Sequence, residues 1–162
     1  MTIRPITSAD DFNAIAQIYV ASWRAAYKDI IPSSYLEALS AEAWEERLRE
    51  RVWNGVVLLE DGKYLGTSAF GAARDATLPG WGEIVSLYVR PECFGKGYGM
   101  PLMQAVKAEL TASGYREIYL WTLEANARAR AFYRKSGFRE DGGRMSMEIG
   151  GEILWEVRYV YP

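Results

Sequence analysis

The segment that most constrains the fold is a β-type run that enters a glycine-rich turn and continues as an amphipathic helix. A strand is predicted for Glu83 to Val89, and the first apolar position of the helix is Leu102. Between them lie glycines at alternate positions, Gly95, Gly97 and Gly99. The first N–H groups of a helix have no intrahelical partner, and glycines allow a phosphate to approach them closely. This segment therefore predicts an anion-binding turn inside a right-handed strand–helix–strand unit.

The rest of the chain alternates between helical and β-type periodicity, with no repeat, low-complexity run or linker. The unit described above ends in a β-type run at 116–123, whose strand should lie parallel to the first. These patterns predict a single mixed α/β domain over residues 1–162. The remaining predicted elements are a strand at 2–6, helices at 9–27 and 33–39, a helix after Ser40, strands at 56–60 and 64–70, a helix at 127–135 and a terminal hairpin of 145–149 with 152–161.

Short local signals mark several boundaries of these elements. Ser8 with Asp11 three residues later resembles a capping box for the first helix, and Ser40 is placed to cap the third. The dipeptide Asp61-Gly62 predicts a tight hairpin between two strands. The buried face of the third helix is expected to carry Trp44, Leu48 and Val52.

The chain contains no histidine and a single cysteine, Cys93. These counts exclude a Ser-His-Asp triad, a Cys-His pair and an HExxH zinc site, and they leave no partner for a disulfide. No metal is therefore expected. Catalysis would depend on carboxylates, hydroxyls, lysines and backbone N–H groups, and Cys93 is expected to be an unreactive loop residue because no histidine can activate it.

Charge and hydropathy restrict the kinds of binding partner and the cellular location that we expect for this chain. With 19 Lys plus Arg against 21 Asp plus Glu, the formal net charge of -2 argues against broad electrostatic binding of nucleic acid. No window approaches the roughly 18 apolar residues of a membrane span, and the start of the chain lacks the apolar segment of a signal peptide. We therefore expect a cytoplasmic protein whose partners include neither nucleic acid nor a membrane.

The glycine spacing discriminates among phosphate-binding motifs. A P-loop requires Ser or Thr after its lysine, whereas the residue after Lys96 is Gly97. The dinucleotide pattern GxGxxG would require a glycine at Met100 or at Leu102, and both registers fail. The spacing GxGxG with one adjacent lysine disfavours an NTPase and leaves another phosphate-bearing ligand, or a plain connecting turn, as the alternatives.

Two motifs together resemble the GNAT superfamily of N-acetyltransferases. In the first, [QR]xxGx[GA], Gly97 and Gly99 occupy the glycine positions, while Phe94 stands where the family has Gln or Arg. The resemblance therefore leaves pyrophosphate binding to backbone amides and Lys96. The second motif, Nxx(A)xxFY followed by GF, is matched by Asn126, Ala129, Phe132, Tyr133, Gly137 and Phe138.

This resemblance is strongest over residues 82–140 and implies both a fold and an activity. The fold would have a central, mostly antiparallel sheet with one parallel, splayed strand pair and helices on both faces. The activity would be transfer of an acyl group from acyl-CoA, with acetyl-CoA as the co-substrate, to a primary amine of a small molecule or a protein N-terminus. A non-catalytic acyl-CoA sensor or assembly module is the alternative, and a homodimer through the terminal hairpin is a further hypothesis.

The resemblance also assigns roles to individual residues. The backbone of Leu87 and Val89 would pair with pantetheine, and the amide of Leu87 would meet the acyl carbonyl, where such a donor is worth about 10²–10³ in rate. Tyr133 would protonate the leaving thiolate, and Asn126 would bond the cofactor or tie the strand end to the helix. The residues expected to bind the cofactor are Leu87, Tyr88, Val89, Phe94, Gly95, Lys96, Gly97, Tyr98, Gly99, Asn126 and Tyr133.

The acceptor amine must lose a proton before it can attack, because an alkylamine with a pKa of about 10.4 is protonated at neutral pH. Without histidine, a carboxylate is the natural base, acting directly or through water, and the candidates are Glu83 and Glu124 at the two strands of the parallel unit, with water alone as the third alternative. Trp23 and Tyr27 are expected to line the acceptor pocket, with Trp23 also fitting a core position. The acceptor itself is left open among polyamines, aminoglycosides, amino acids and protein N-termini.

Overall fold

A computed structural model describes residues 1–50 and 54–162 and shows seven strands and five α-helices within them. The elements follow the predicted order, with one short 3₁₀ turn, Pro91–Cys93, added after the fourth strand. Their bounds are β1 Thr2–Pro5, α1 Phe12–Ala26, α2 Ser33–Ala38, α3 Ala41–Glu50, β2 Asn54–Glu60, β3 Lys63–Ala72, β4 Gly82–Val89, α4 Gly99–Ala112, β5 Ile118–Leu123, α5 Ala127–Lys135, β6 Arg139–Ile149 and β7 Glu152–Tyr161.

The strands form one sheet in the order β1-β2-β3-β4-β5-β7-β6. Every neighbouring pair is antiparallel except β4 and β5, which are parallel as predicted for the strand–helix–strand unit. That parallel pairing is short, because it begins at Gly82 opposite Ile118 and ends at Ile84 opposite Leu120. The predicted fold class, with its single splayed parallel pair, is therefore confirmed.

Alternate residues of the central strands face two different cores, as the pleat of a sheet requires. Val56 and Leu58 of β2 pack with Leu102 and other buried residues of α4. Val57, between them, packs with Phe12 and its neighbours on α1, and with α3, on the opposite face. The helices thus cover both faces of the sheet and leave the β4–β5 gap between the two layers.

Most local signals gave the correct boundaries. Asp61 and Gly62 form the tight β2–β3 turn with positive φ values of 49° and 73°. The Ser40 hydroxyl accepts from the backbone N–H of Ala43 at 3.1 Å and so caps α3. Leu48 is buried in that helix as predicted, while Val52 lies outside the described residues.

Two local predictions were wrong. The cap of α1 is Asp11, whose carboxylate accepts from the Ala14 N–H at 2.9 Å, and the Ser8–Asp11 capping box does not form. The reason is a turn that precedes the helix, in which the Thr7 N–H donates to Asp10 at 2.7 Å. Strand β6 begins at Arg139 rather than at 145, because its first residues pair with the end of β7 before a bulge interrupts the ladder.

No helix among residues 1–50 and 54–162 combines the length and the apolar content that crossing a bilayer requires.

Candidate active site

The gap between β4 and β5 opens into a cavity of 730 Å³. A bulge marks the point of divergence, since Phe70 pairs with Ile84 and Ala69 with Ser86, which leaves Val85 as the extra residue in β4. Bulges of this kind bend a strand and often lie beside functional sites. The predicted site residues that line the cavity are Trp23, Tyr27, Leu87, Tyr88, Val89, Phe94, Gly95, Gly97, Tyr98, Gly99, Asn126 and Tyr133.

The backbone of β4 beyond Ile84 presents polar groups to this gap. The Arg90 N–H donates to the Leu65 carbonyl of β3 at 2.8 Å, so Arg90 faces β3. Successive backbone groups of a strand point to opposite edges, and the N–H groups of Leu87 and Val89 therefore point away from β3 and into the gap. The Val89 carbonyl also points away from β3, and it accepts a hydrogen bond from the Ser22 hydroxyl of α1 at 2.8 Å.

The glycine turn at the start of α4 has the backbone conformation of an anion site. Gly95 and Gly97 have φ values of 72° and 87°, and an added Cβ on either would point into open space. Glycine is therefore required at these positions by the left-handed conformation rather than by a neighbouring atom. Tyr98 caps the helix without a side-chain hydrogen bond, so the first N–H groups of α4 receive no side-chain acceptor at this cap.

The two sequence motifs meet at this turn. A Cβ on Gly99 would lie 3.1 Å from the ring of Phe132 on α5, so the glycine permits the close packing of the two helices. The Asn126 side chain caps α5, because its oxygen accepts from the Ala129 N–H at 3.1 Å. The Tyr98 hydroxyl donates to the Glu60 carboxylate of β2, which anchors the helix start to the sheet. Lys96 does not line the cavity.

Arg128, which the sequence reading missed, lies at the same mouth of the cavity. Its guanidinium stands over the Phe94 ring, 3.5 Å from the centroid, and it lines the cavity. Desolvation lowers the pKa of Arg128, and no side-chain hydrogen bond or ion pair joins it to any residue that the structure describes. Phe94 lacks the side-chain donor of the family motif, but its ring packs against the guanidinium of Arg128 from α5. The only sequence signal was an arginine in the first turn of that helix.

Tyr133 lies in the wall of the cavity on α5. Its ring contacts those of Phe132, Phe138 and Tyr159 at centroid distances of 5.6, 6.2 and 5.9 Å. Burial, and then the nearby Tyr88, raise the pKa of the Tyr133 phenol well above its ordinary value. Its hydroxyl makes no hydrogen bond with the described part of the chain. The phenol is therefore protonated and available to a ligand.

Glu83 is only 2% exposed and does not line the cavity. Its carboxylate accepts from the Arg74 side chain at 2.5 Å, from the Arg74 backbone N–H at 3.0 Å and from the Tyr119 hydroxyl at 2.8 Å. Burial opposes ionisation, but these hydrogen bonds outweigh it and lower the pKa of Glu83. The role of Glu83 as the base that deprotonates the acceptor amine stays a prediction. Its contacts in the structure suit a structural clamp between β4, β5 and the loop after β3.

We expect the substitution Glu83→Gln to lower the free energy of unfolding by about 1–3 kcal/mol. The substitution removes the buried negative charge of the ion pair and leaves the Arg74 guanidinium without that counter-charge. Since the pKa of Glu83 is lowered in the folded state, its stabilisation is present above the ordinary glutamate pKa and is lost as pH falls through the lowered value. Urea unfolding of both proteins at neutral and acidic pH checks this. An unchanged difference between them at acidic pH would contradict the clamp.

The other predicted acceptor residues occupy different surroundings. Glu124 pairs with Arg144 at 2.8 Å, and it lies outside the cavity lining. Trp23 and Tyr27 do line the cavity, where their rings meet edge to face at a centroid distance of 5.1 Å. The Trp23 indole N–H donates to the Tyr88 hydroxyl at 3.0 Å, which fixes this aromatic wall against β4.

Glu156 was also missed from the sequence. It is half-buried, lines the cavity, and lies on β7 opposite Leu123. Its carboxylate makes no hydrogen bond or ion pair with residues 1–50 or 54–162. Burial raises the pKa of Glu156, while Arg74 lowers it and Glu83 raises it further. A strand pattern alone could not reveal that this acidic residue faces a gap.

Cys93 and metals add little to this chemistry. Cys93 is buried, and burial raises the pKa of its thiol, which keeps it protonated. Within the described ranges, no group of three or more His, Cys, Asp or Glu side chains is arranged to hold a metal ion.

Comparison with known proteins agrees with the resemblance that the two sequence motifs carry. The model of the Acetyltransferase (GNAT) family matches residues 12–138. The chain is 29% identical over 157 residues to the uncharacterized N-acetyltransferase YuaI of Bacillus subtilis, covering 94% of this chain and 88% of that protein. It is 26% identical over 161 residues to spermidine N(1)-acetyltransferase of Thermoplasma acidophilum, covering 94% of each.

Solved structures share the fold at low sequence identity. Ribosomal-protein-alanine N-acetyltransferase from Brucella melitensis superposes with a TM-score of 0.74 at 23% identity, covering 99% of this chain and 98% of that one. PaiA N-acetyltransferase from Thermoplasma acidophilum, solved in complex with coenzyme A, superposes with a TM-score of 0.70 at 20% identity, covering 96% and 98%.

Proposed function

Because this chain belongs to the GNAT family of acetyltransferases, we propose that it binds acetyl-CoA in the β4–β5 gap and transfers the acetyl group directly to a primary amine. The observation that carries this proposal is the end of the parallel pairing at Ile84. Beyond it the Leu87 N–H faces a cavity that Tyr133 and the glycine turn also line. An acyl carbonyl, a thiolate and a pyrophosphate would each find a suited group there.

The cofactor would extend along β4 like an added strand. Its pantetheine amides would pair with the backbone of Leu87 and Val89, which no strand satisfies on that side. Its pyrophosphate would lie on the N–H groups of the turn from Gly95 to Gly99, at the positive end of the α4 dipole. The coenzyme A bound by the PaiA neighbour, which shares the fold, supports this occupant.

The chemistry follows from what each group can donate. As the amine nitrogen attacks the thioester carbon, the carbonyl oxygen becomes an oxyanion, which the Leu87 N–H would stabilise. Collapse of the tetrahedral intermediate breaks the carbon–sulfur bond, and the Tyr133 phenol would supply the proton that the departing thiolate needs. No covalent acyl-enzyme is required, which agrees with a buried, protonated Cys93.

The acceptor is an amine, and two relatives support small-molecule and peptide candidates. The Thermoplasma acidophilum relative is named for spermidine, and the Brucella melitensis structure is named for the alanine of a ribosomal protein. We therefore propose a polyamine-like amine or a protein N-terminus as the acceptor class.

An amine panel with acetyl-CoA tests the function. Thiol release would be measured with spermidine, 1,4-diaminobutane, alaninamide and an N-terminal alanine peptide, alongside calorimetry of CoA binding. We expect CoA binding and amine-dependent thiol release with at least one amine. CoA binding without release on any amine would instead support a non-catalytic acyl-CoA sensor.

A second expectation concerns Arg128. We expect Arg128→Ala to raise the Kd of CoA about 10-fold, because a charge-assisted contact to phosphate would be lost, and the effect should shrink at high salt. Calorimetry at two salt concentrations measures this. Arg116→Ala, an exposed arginine outside the cavity, is the matched control. Restoring the family donor with Phe94→Gln should recover part of the affinity, and an unchanged Kd for Arg128→Ala would remove Arg128 from the site.

A further inference from the structure

The proposed transfer requires a group that receives the acceptor as a cation and removes a proton from it. Among the described residues, the cavity lining contains three cationic side chains, Arg74, Arg128 and Lys135, and one carboxylate, Glu156. The two carboxylates at the strands of the parallel unit are already engaged, Glu83 with Arg74 and Glu124 with Arg144. Of these three carboxylates Glu156 is the one that lines the cavity, and it makes no hydrogen bond or ion pair in the part of the chain that the structure describes.

The sheet register places Glu156 at the level of the reacting centre. Ile84 and Leu120 form the last pair of β4 and β5. Leu123 lies three residues beyond Leu120, while Leu87 lies three residues beyond Ile84 with the bulge at Val85 between them, so the two leucines lie within about one residue of the same height on the two sides of the gap. Glu156 lies directly opposite Leu123 on β7, one strand spacing of about 4.8 Å beyond it. The carboxylate therefore lies across the gap from the Leu87 N–H.

The side-chain face of Glu156 is the one that α1 covers. Directly opposed residues of an antiparallel pair project to the same face, and Leu123 packs with Ile31, Trp23 and Tyr27 on that side. An amine that entered the gap from this face would pass the aromatic wall and then meet Glu156. Aromatic faces attract ammonium groups, and a carboxylate at their end supplies the counter-charge.

We propose that Glu156 binds the ammonium group of the acceptor and takes its proton, and that the acceptor is a cationic amine without a carboxylate next to the reacting nitrogen. This inference depends on the proposed function for its reaction, but not for the binding event. An acceptor carboxylate near the nitrogen would be repelled by Glu156 in a partly desolvated site. The proposal therefore favours polyamines and N-terminal peptides over free amino acids.

The proton balance is complete with the residues present. The acceptor R–NH₃⁺ gives one proton to the Glu156 carboxylate, which passes it to solvent. The neutral amine forms the carbon–nitrogen bond, and the carbon–sulfur bond breaks. Tyr133 protonates the thiolate and recovers a proton from the nitrogen of the new amide, so that the products are the amide, CoA–SH and one released proton.

The charges around Glu156 set its pH behaviour. Arg74 and Glu83 act on it from the loop after β3 and from β4, while the phenols of Tyr27 and Tyr88 approach from α1 and β4. We expect kcat/KM to rise with pH as Glu156 ionises, with a pKa raised by burial above its ordinary value, and to fall again once the acceptor loses its own charge. A neutral amine bound directly from solvent would give a rise at the amine pKa and no such fall.

The test compares Glu156→Gln with Glu152→Gln, an exposed glutamate on the same strand. With 1,4-diaminobutane as the probe, we expect Glu156→Gln to lower kcat/KM about 10²-fold and to remove the acidic limb of the profile, while the Kd of CoA is unchanged. Glu152→Gln should match the wild type. Glu156→Asp keeps the charge and should fall between them, which guards against a folding defect. The wild type should also acetylate alaninamide more than about 10-fold better than alanine.

Two results would overturn the proposal. One is a Glu156→Gln protein whose kcat/KM and acidic limb stay at the wild-type level, and the other is equal use of alanine and alaninamide. If the wild type turns over no amine, the proposed function fails, and calorimetry of 1,4-diaminobutane on the CoA complex then decides about Glu156 separately. Binding that Glu156→Gln abolishes supports the acceptor site, whereas equal binding contradicts it.

Discussion

The substitution Tyr133→Phe should lower kcat about 10²-fold at saturating substrates, because it removes the only proton donor proposed for the leaving thiolate. The Kd of CoA should change less than about 2-fold, since the ring and its packing remain. Burial holds the pKa of Tyr133 well above its ordinary value, so the phenol stays protonated throughout the neutral range. The pH profile of the residual activity should therefore show no new limb between about pH 6 and 9, because both values lie below the ordinary tyrosine pKa of about 10.

The control for this experiment is Tyr115→Phe, which removes a hydroxyl from another tyrosine packed against the same core but outside the cavity. Neither variant should unfold more easily than the wild type by more than about 0.5 kcal/mol, since neither hydroxyl is hydrogen-bonded within the described residues. Stopped-flow thiol release gives kcat. A Tyr133→Phe enzyme with wild-type kcat would show that the thiolate leaves without this acid.

The substitution Gly97→Val should raise the Kd of CoA about 10²-fold. Gly97 has a φ of 87°, and a β-branched residue resists this left-handed conformation at a cost of about 1–3 kcal/mol. The turn would relax toward a negative φ, and the N–H groups that are aimed at the pyrophosphate would rotate away from it. Calorimetric titration of CoA measures the loss directly.

A matched glycine separates this local effect from general strain. Gly80 has a φ of 81°, has no atom within 4 Å of an added Cβ, and lies outside the cavity lining. Gly80→Val should therefore destabilise the fold by a similar amount while it leaves the Kd of CoA unchanged. Equal losses of CoA affinity in both variants would mean that the turn from Gly95 to Gly99 is not the phosphate site.

The sequence was sufficient to predict the fold and the part of the site that depends on local backbone. Alternating glycines after β4 require positive φ values wherever they lie, so Gly95 and Gly97 could be assigned to an anion turn before any tertiary contact was known. The parallel β4–β5 pair followed from its connection through a single helix. The splay of that pair was implied by the family resemblance and is visible in the register that ends at Ile84.

The parts that were missed depend on long-range pairing. Glu156 lies in the cavity only because β7 pairs with β5 in the register that sets it opposite Leu123, and no local pattern encodes that register. Arg128 lies on α5 and Phe94 in the turn before α4, so their contact depends on how these two parts of the chain pack. The early start of β6 has the same cause, since its polar first residues pair with β7 despite weak strand propensity.

In the proposed reaction, an acyl group bound in the β4–β5 gap passes directly to an amine. Mass spectrometry of protein and small molecules during turnover with acetyl-CoA and the best amine of the panel tests it most directly. We expect one acetylated amine for each CoA thiol released, with the mass of the protein unchanged at every time point. Thiol release without an acetylated amine, or a protein that carries the acetyl group as an intermediate, would contradict it.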